Sequence, residues 1–493
     1  MSQLTVPSST ASAKRRGASE PAGDMGDGLT ISASDIGERL WRIFTSMRTA
    51  LILMLILAVL ALFGTLLVQA PAGMSTDGQA YQAWLDSITP KYGGWTKPMD
   101  MLGLFNIFSS IWFKAIIVLL TTSILACSVN RFKGLWKTAV HPRTRMTPVF
   151  FDRAPHSETI NAAVALDTAV TDVTKTFKSH HYRTVVEREG DEISVYADRF
   201  RWAPFGTLMA HISLVMILVG ALVGGTLGFR MNEFAVPVGS TIPVGQGTGL
   251  SVMATAFNDS YYENGAPSDY AADLVLFKDG QQVATQTIRV NQPLTYGDVT
   301  FYQSFFGPAT DITVKDDAGA VLYKQGVPLL YSSDGGAQRI GQFLLPEKGL
   351  TVVVVSAASG EVDPILKPGM VQIEVYKTGD AAQPIETKVI EQGQPASVAG
   401  MTFTFDREQQ FTGLMVGKDP GQILVFGGAL LLVLGLFLVF FFPSRRIWTR
   451  IVPGTAGSEV RVGATSRHDA TFGPDFQKIV GEMKSSLVGK TGI

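Results

Sequence analysis

The chain has 493 residues, 46% hydrophobic and only 17% charged, with a mean hydropathy of +0.21; this is too apolar for an ordinary soluble protein, yet about half of it reads as polar sequence. A net charge of −1 supplies no general attraction to phosphate, which argues against nucleic acid as a partner. The single cysteine, Cys127, excludes an internal disulfide, a Cys-x-x-Cys redox pair and a Cys-x-x-Cys-His haem-attachment site.

In chain order, residues 1–48 form a leader, polar and rich in Ser, Ala and Gly up to Ser34, that reads as cytoplasmic and largely disordered. The first apolar run, 49–69, starts too far in for a simple cleaved signal and is read as a retained span. A loop follows at 70–110, then a second span at 111–129 and a cytoplasmic loop at 130–201. That loop is expected to be a small α/β unit, with a helix near 166–178 and a hairpin turning at Glu189-Gly190. A third span covers 202–229. Residues 230–419 alternate apolar and polar in short runs such as "ADLVLF" and "VTFYQSFF", broken at Lys278-Asp279-Gly280 and Asp317-Ala318-Gly319. They predict a β-rich domain. A fourth span at 420–442 and a tail at 443–493 complete the chain.

Lys and Arg set the direction, because they accumulate on the cytoplasmic side of short flanks. Arg39, Arg42 and Arg48 precede the first span, Arg131, Lys133 and Lys137 follow the second, Arg199 and Arg201 precede the third, and Arg445, Arg446 and Arg450 follow the fourth. Both termini are therefore expected in the cytoplasm, with 70–110 and 230–419 outside. The fold class is a multi-pass α-helical membrane protein with four transmembrane helices and a large β-rich extracytoplasmic domain.

The histidines are more informative than any catalytic motif. His141, His156, His180 and His181 fall in the 130–201 loop, His468 in the tail and His211 inside the third span. Neither external segment has one, so both lack the commonest transition-metal ligand and the commonest neutral-pH acid or base. Neither a Gly-x-Ser-x-Gly elbow nor a His-Glu-x-x-His motif is present. The external domain thus reads as a scaffold or recognition surface, and His180 and His181 as a solvated pair.

An ionisable group within a span is costly, so it usually faces a bundle interior or cavity and pairs with something. His211 shares a helical face with Thr207, Leu214, Val215, Leu218 and Leu222, whereas Gly220, Gly224 and Gly228 form Gly-x-x-x-Gly steps on another. Spacing alone leaves three roles open for His211: a neutral histidine bonded to a neighbouring helix, a haem or metal ligand, and a proton relay. Asp419-Pro420 reads as an N-cap and first helical position. Cys127 reads as a small packed residue, and Trp84, Trp95, Trp112, Trp202 and Trp448 mostly as interfacial anchors.

The order of three spans, a β-rich domain and a final span resembles the ResB family of cytochrome c biogenesis proteins of system II. The stretches that carry the resemblance are "FGTLLVQ" (63–69), "FSSIWF" (108–113), "ACSVNRF" (126–132), "AHISLVMILVGALVGG" (210–225), "NQPLTYGDVTFYQSFFG" (291–307), "KDPG" (418–421) and "FFPSRRIW" (441–448). The resemblance implies a bacterial plasma-membrane subunit paired with a ResC/CcsA-type membrane protein. The complex would move haem b, handled rather than permanently bound, across the membrane and present it, iron reduced, to apocytochrome c. It also implies that His211 is the haem axial ligand, the only candidate cofactor or metal residue, with no catalytic residue in this chain. The protein would then be a non-catalytic subunit of a cytochrome c synthetase (haem lyase-type) complex, with membrane lipid as its surroundings. The "FYQSFFG" strand, with Tyr302 and Phe305 or Phe306, would offer aromatic contact to the apocytochrome. Two rivals remain: a membrane-anchored ligand-binding or sensory protein using the β-rich domain, and a transporter subunit with His211 as proton relay.

Overall fold

The computed structural model describes residues 33–488 apart from 72–77, 265–266, 334–335, 359–362, 364, 380–382, 456, 466–468 and 470. His468 and residues 1–32 of the leader lie outside the described residues. The rest of the leader is not largely disordered, because Ala33–Phe44 forms helix α1. Its apolar residues Ile36, Leu40, Ile43 and Phe44 recur at helical spacing opposite Glu38, Arg39 and Arg42, a period that average polarity conceals.

Among the described residues four further helices are long and apolar enough to cross a membrane: α2 (Met47–Leu66), α5 (Ile111–Val140), α8 (Phe205–Leu227) and α9 (Gln422–Phe441). The described segment between α2 and α5 is also helical, with α3 at Gly78–Tyr92 and α4 at Thr96–Met101. Gln69 ties it down: its Oε1 accepts from the Ile107 backbone N–H (3.1 Å) and its Nε2 donates to the Leu104 carbonyl (3.0 Å). Ser110 caps α5 by accepting from the Phe113 N–H at 3.3 Å. The helix runs past the predicted end at 129 because the basic stretch from Arg131 to Lys137 is itself helix-compatible. It stops at His141, where the following Pro142 disfavours helical backbone.

The four long helices pack in the order α2, α5, α8, α9, and the α8–α9 pair is the closest. These two run antiparallel on a seam of small residues spaced by seven: Gly206, Ser213 and Gly220 on α8 face Gly435, Gly428 and Gly421 at the start and along α9. A Cβ on Gly435 would lie 2.7 Å from the Gly206 carbonyl oxygen, and one on Gly428 would lie 2.9 Å from that of Ser213. Glycine is required there because backbone meets backbone. Of the predicted Gly-x-x-x-Gly steps, Gly220 and the backbone nitrogen of Gly224 meet Gly421, Gly224 also accommodates the carboxylate of Asp419, and Gly228 meets the Lys418 carbonyl. Asp419 does not cap α9 itself. Its Oδ1 accepts from the Gly421 N–H (2.9 Å), and the helix begins at Gln422.

Two domains sit at opposite ends of the bundle. Between α5 and α8 lie α6 (Pro148–Arg153), β1 (His156–Ala162), α7 (Leu166–Ser179), β2 (Arg183–Glu189) and β3 (Glu192–Arg199). Between α8 and α9 lie β4 (Phe229–Pro237), β5 (Thr241–Pro243), β6 (Leu250–Tyr261), β7 (Pro267–Lys278), β8 (Gln281–Arg289), β9 (Leu294–Tyr296), β10 (Val299–Lys315), β11 (Val321–Pro328), β12 (Tyr331–Ser332), β13 (Gln338–Leu345), β14 (Leu350–Ala357), β15 (Met370–Lys377), β16 (Glu386–Glu391), β17 (Pro395–Val398) and β18 (Met401–Lys418). After α9 come β19 (Arg445–Gly454), β20 (Gly457–Thr465) and α10 (Phe472–Val488).

The sequence reading separated the 130–201 loop from the 443–493 tail; the structure joins them. Their common antiparallel sheet has the order β1-β20-β19-β3-β2, so the tail supplies two of its three inner strands, and β1 pairs only with β20. Helices α7 and α10 contribute Val173, Phe177, Phe476 and Ile479 to one core with Ile193, Val195, Ile451 and Val462 of the sheet. Trp448, read as an interfacial anchor, is buried here beside Phe150 and Tyr196, and its Nε1–H donates to the Arg143 carbonyl at 2.8 Å. Arg445, where α9 gives way to this sheet, is also buried and binds Asp469 (2.8 Å) and Asp475 (2.6 Å).

The β-rich domain is strung on one long antiparallel ribbon, β10 with β18, in register from Val299↔Lys418 beside the helices to Lys315↔Thr402 at the far end. Near the helices, β5–β8 form a sheet whose Val252, Leu274 and Leu276 pack with Phe301 and Leu414 of the ribbon. Farther out, β12–β16 form another, whose Val352, Val354 and Ile373 pack with Ile312 and Phe403. The ribbon thus serves two separate cores, with register shifts between Gln303 and Phe305 and between Asp311 and Ile312. The turn at Asp279-Gly280 has positive φ at both residues, as a two-residue hairpin requires.

Candidate functional site

His211 is the seventh residue of α8, about 9 Å along the axis from its start at 1.5 Å per residue. The helix lies between two neighbours and presents a different face to each. Gly206, Ser213 and Gly220 meet α9, whereas His211 and Leu218 turn toward α5. Across that second interface the Ser128 hydroxyl stands 3.3 Å from His211 Nδ1.

The direction of this bond follows from proton counting. A serine hydroxyl has one proton, and Ser128 directs its own to the Ile124 carbonyl, 2.6 Å away within α5. Toward His211 it can therefore only accept, which puts the imidazole proton on Nδ1. In the neutral imidazole Nε2 then carries the lone pair, and among the described residues it has no hydrogen-bond partner. A neutral imidazole oriented through one nitrogen and open at the other is the arrangement of a metal-binding histidine whose outer hydrogen bond fixes its tautomer.

His211 lines a cavity of about 510 Å³, within the usual size range of small-molecule sites. The cavity opens at the end of the bundle nearest the α/β domain. Asn130, Arg131, Gly134, Leu135 and Thr138 form one wall on α5, and Pro204, Thr207 and Leu208 form the other at the start of α8. Arg201, just before α8, and Arg446, on β19, close its mouth. Beside it Phe132, Trp136, Trp202 and Phe205 make a cluster of aromatic contacts, with Trp136 and Trp202 centroids 5.9 Å apart.

A second cavity, of about 820 Å³, lies at the opposite end of α8, where α8 and α9 meet the β-rich domain. Gly220, Gly224 and Gly228 line it together with Arg230, Tyr302 and the Asp298–Lys418 ion pair (2.6 Å). The Lys418 ammonium beside Asp298 holds that carboxyl below its ordinary range. This cavity has no histidine. One helix, α8, thus borders both cavities.

Matching against known proteins places this architecture. The model of the ResB-like family matches residues 47–477. The chain belongs to the ResB-like family. Among its relatives, a cytochrome c biogenesis protein CcsB of Nostoc sp. is 27% identical over 459 residues, covering 90% of this chain and 92% of that protein. Another, of Synechococcus sp., is 25% identical over 458 residues, with 90% and 92% covered. The cytochrome c biogenesis protein Ccs1 of Rhodomonas salina is 25% identical over 423 residues, with 82% and 88% covered.

In this ResB-like chain the residues singled out from sequence are dispersed. His180 pairs with Glu482 at 2.8 Å and His156 packs on Phe472 and Phe476. Among the described residues no group of three His, Cys, Asp or Glu side chains could hold a metal ion. Trp84 packs on Tyr81 and Phe105. In the "FYQSFFG" strand, Phe306 stacks on Phe257, meets Tyr270 at a tilt and packs against the core, and Phe305 covers Gly413 and contacts Phe411. Only Tyr302, 39% exposed, faces a cavity. Sequence reading missed Ser128 as a partner of His211. Arg131, Arg201 and Arg446 were legible as orientation markers, but their convergence requires three distant segments to meet.

Proposed function

We propose that this protein is a membrane subunit of cytochrome c biogenesis that takes haem as cargo at His211 and helps to position it and apocytochrome c for covalent attachment. The observation that carries the reading is a histidine within a helical bundle that lines a cavity and is held through Nδ1 by Ser128 of the neighbouring helix. Its relatives carry names from cytochrome c biogenesis, which fits. Iron accepts imidazole readily, and an apolar site tunes its potential through burial and ligand basicity. Leu135, Pro204 and Leu208 supply apolar walls for a planar ring.

Four helices with basic residues gathered at the α/β end give the orientation in this reading, with that domain and both termini cytoplasmic and the β-rich domain outside. The second cavity then lies at the outer surface, where Tyr302 offers aromatic contact to apocytochrome or cargo. A ResC/CcsA-type membrane protein is the expected partner, packing on the apolar faces that α2 and α9 leave exposed at Leu51, Leu55, Leu430 and Phe437. The chain itself contributes binding, orientation and exclusion of water. Thioether chemistry belongs to the haem vinyl groups and the substrate's thiols.

The reading is tested in a strain lacking this protein, by staining covalently bound haem in its c-type cytochromes. Restored staining is expected with the wild-type gene, and a loss of at least tenfold with His211→Ala that imidazole in the medium partly reverses. Full maturation of c-type cytochromes without the protein would refute the reading.

A further inference from the structure

Arg131, Arg201 and Arg446 reach the cavity of His211 from the end of α5, the turn before α8 and the first strand after α9. No aspartate or glutamate lines the cavity, and none of the three makes an ion pair among the described residues. Arg131 has only a weak contact with Met47 Sδ at 3.9 Å, and Arg201 lies over the ring of Trp202. A preference for basic residues on one side of a bundle explains their sign. It does not explain why three segments far apart in sequence bring three unpaired guanidinium groups to one cavity, where they repel one another. A bound anion removes that repulsion, and the guanidinium fork matches a carboxylate with two parallel hydrogen bonds.

The position of the charges selects the ligand. His211 and Pro204 both line the cavity, seven residues apart, or about 10 Å along the helix, with Pro204 on the side of the α/β domain. A molecule filling this space meets apolar walls at Leu208, Pro204 and Leu135, one guanidinium at Arg131 about a turn from His211, and two at Arg201 and Arg446 on the side of the α/β domain. We infer that Arg131, Arg201 and Arg446 form a carboxylate dock that holds a tetrapyrrole by its two propionates, carboxylate edge toward the α/β domain. This deepens the proposed function and rests on it for the identity of the cargo. The dock acts on the carboxylates alone and is independent of iron. A metal therefore adds the His211 bond to a ligand already oriented, and the ring plane can face Nε2 in only one of its two end-to-end directions.

The test uses the full chain in an uncharged detergent and metal-free protoporphyrin IX, which has both carboxylates and nothing for His211 to ligate. Binding is read by porphyrin fluorescence. Single Arg131→Gln, Arg201→Gln and Arg446→Gln variants are expected to weaken binding at least fivefold each, and Arg→Lys variants less. Protoporphyrin dimethyl ester should bind at least tenfold more weakly than the acid and should not distinguish the variants from wild type. An unchanged melting temperature and a single elution peak show that a variant is folded; one that fails is replaced by its Arg→Lys counterpart. Equal affinity for acid and ester, or indifference to all three substitutions, overturns the dock. If a few mole per cent phosphatidylglycerol abolishes the arginine-dependent part of binding, the trio holds a lipid phosphate and the inference is likewise overturned. Since no iron is present, either failure leaves ligation by His211 to be decided by haem spectra.

Discussion

Ser128 stands 3.3 Å from Nδ1 of His211 while donating its own proton to the Ile124 carbonyl at 2.6 Å, so one hydroxyl on α5 is placed to accept from Nδ1–H of a histidine on α8. Ser128→Ala removes the acceptor without reaching the cavity wall. Loss of such an outer hydrogen bond commonly costs about 10–100-fold in metal affinity. Haem titration of Ser128→Ala should show a loss of that size with the axial histidine spectrum retained, whereas Ser128→Thr, which keeps the hydroxyl, should lie near wild type. Equal affinity in Ser128→Ala would mean that the serine does not orient the ligand.

The seam between α8 and α9 should be intolerant of side chains. Gly435→Val places branched carbons where a Cβ alone already lies 2.7 Å from a backbone oxygen, and such overpacking costs about 1–3 kcal/mol. Gly225, where a Cβ meets nothing within 4 Å, is the control. A lower thermal midpoint in detergent is expected for Gly435→Val, with Gly225→Ala unchanged.

Arg445 locks the C-terminal segment to the sheet of the α/β domain. Its guanidinium and the Asp469 carboxylate are 9% and 5% exposed, with a 2.8 Å contact between them. Removing one partner of a buried pair costs about 3–5 kcal/mol. Arg445→Ala should therefore expose β19, β20 and α10 to limited proteolysis while the β-rich domain stays resistant.

The same pair predicts a response to acid. Burial works against the Asp469 carboxylate, but hydrogen bonds from Thr471 and Arg445 outweigh it and hold its pKa below the ordinary value. A carboxyl with a lowered pKa in the folded state stabilises fully above its unfolded value of about 3.9 and loses that contribution as pH falls through the folded one. Docking of the tail, followed by proteolysis, should be constant from pH 7 to about 5 and weaken below about 4, and Asp469→Asn should flatten that dependence.

The aromatic strand separates structure from recognition. Phe306→Ala opens space beside Phe257 and Tyr270 and should lower stability by about 2–4 kcal/mol. Tyr302→Ala removes a ring from a cavity wall and should leave the melting temperature within a degree or two while reducing cytochrome c maturation. A Tyr302 variant with full maturation would remove this strand from the substrate path.

Much of the architecture was legible because long apolar runs and two-residue alternation are local signals. The four helices long enough to cross a membrane, the β-rich region and the hairpin at 183–199 follow from them. Contacts between distant segments were not legible. Nothing near Gly457 indicates that β20 will pair with β1, some 300 residues earlier, and nothing near Trp448 distinguishes a buried indole from an interfacial one. The glycine seam is hard to read from sequence because these antiparallel helices interlock at steps of seven, and Ser213 interrupts the run of glycines on α8. His211 stood out by its cost in an apolar helix, while its partner Ser128 looked like any small residue in a span.

The most direct measurement is the reduced visible spectrum of this protein co-purified with a ResC-type protein, the partner proposed above, for wild type and His211→Ala. The account predicts a b-type haem spectrum in the wild-type complex that is lost or shifted in His211→Ala and returns when imidazole is added. A haem spectrum in His211→Ala identical to that of the wild-type complex would contradict ligation by His211 and return this residue to a packing role.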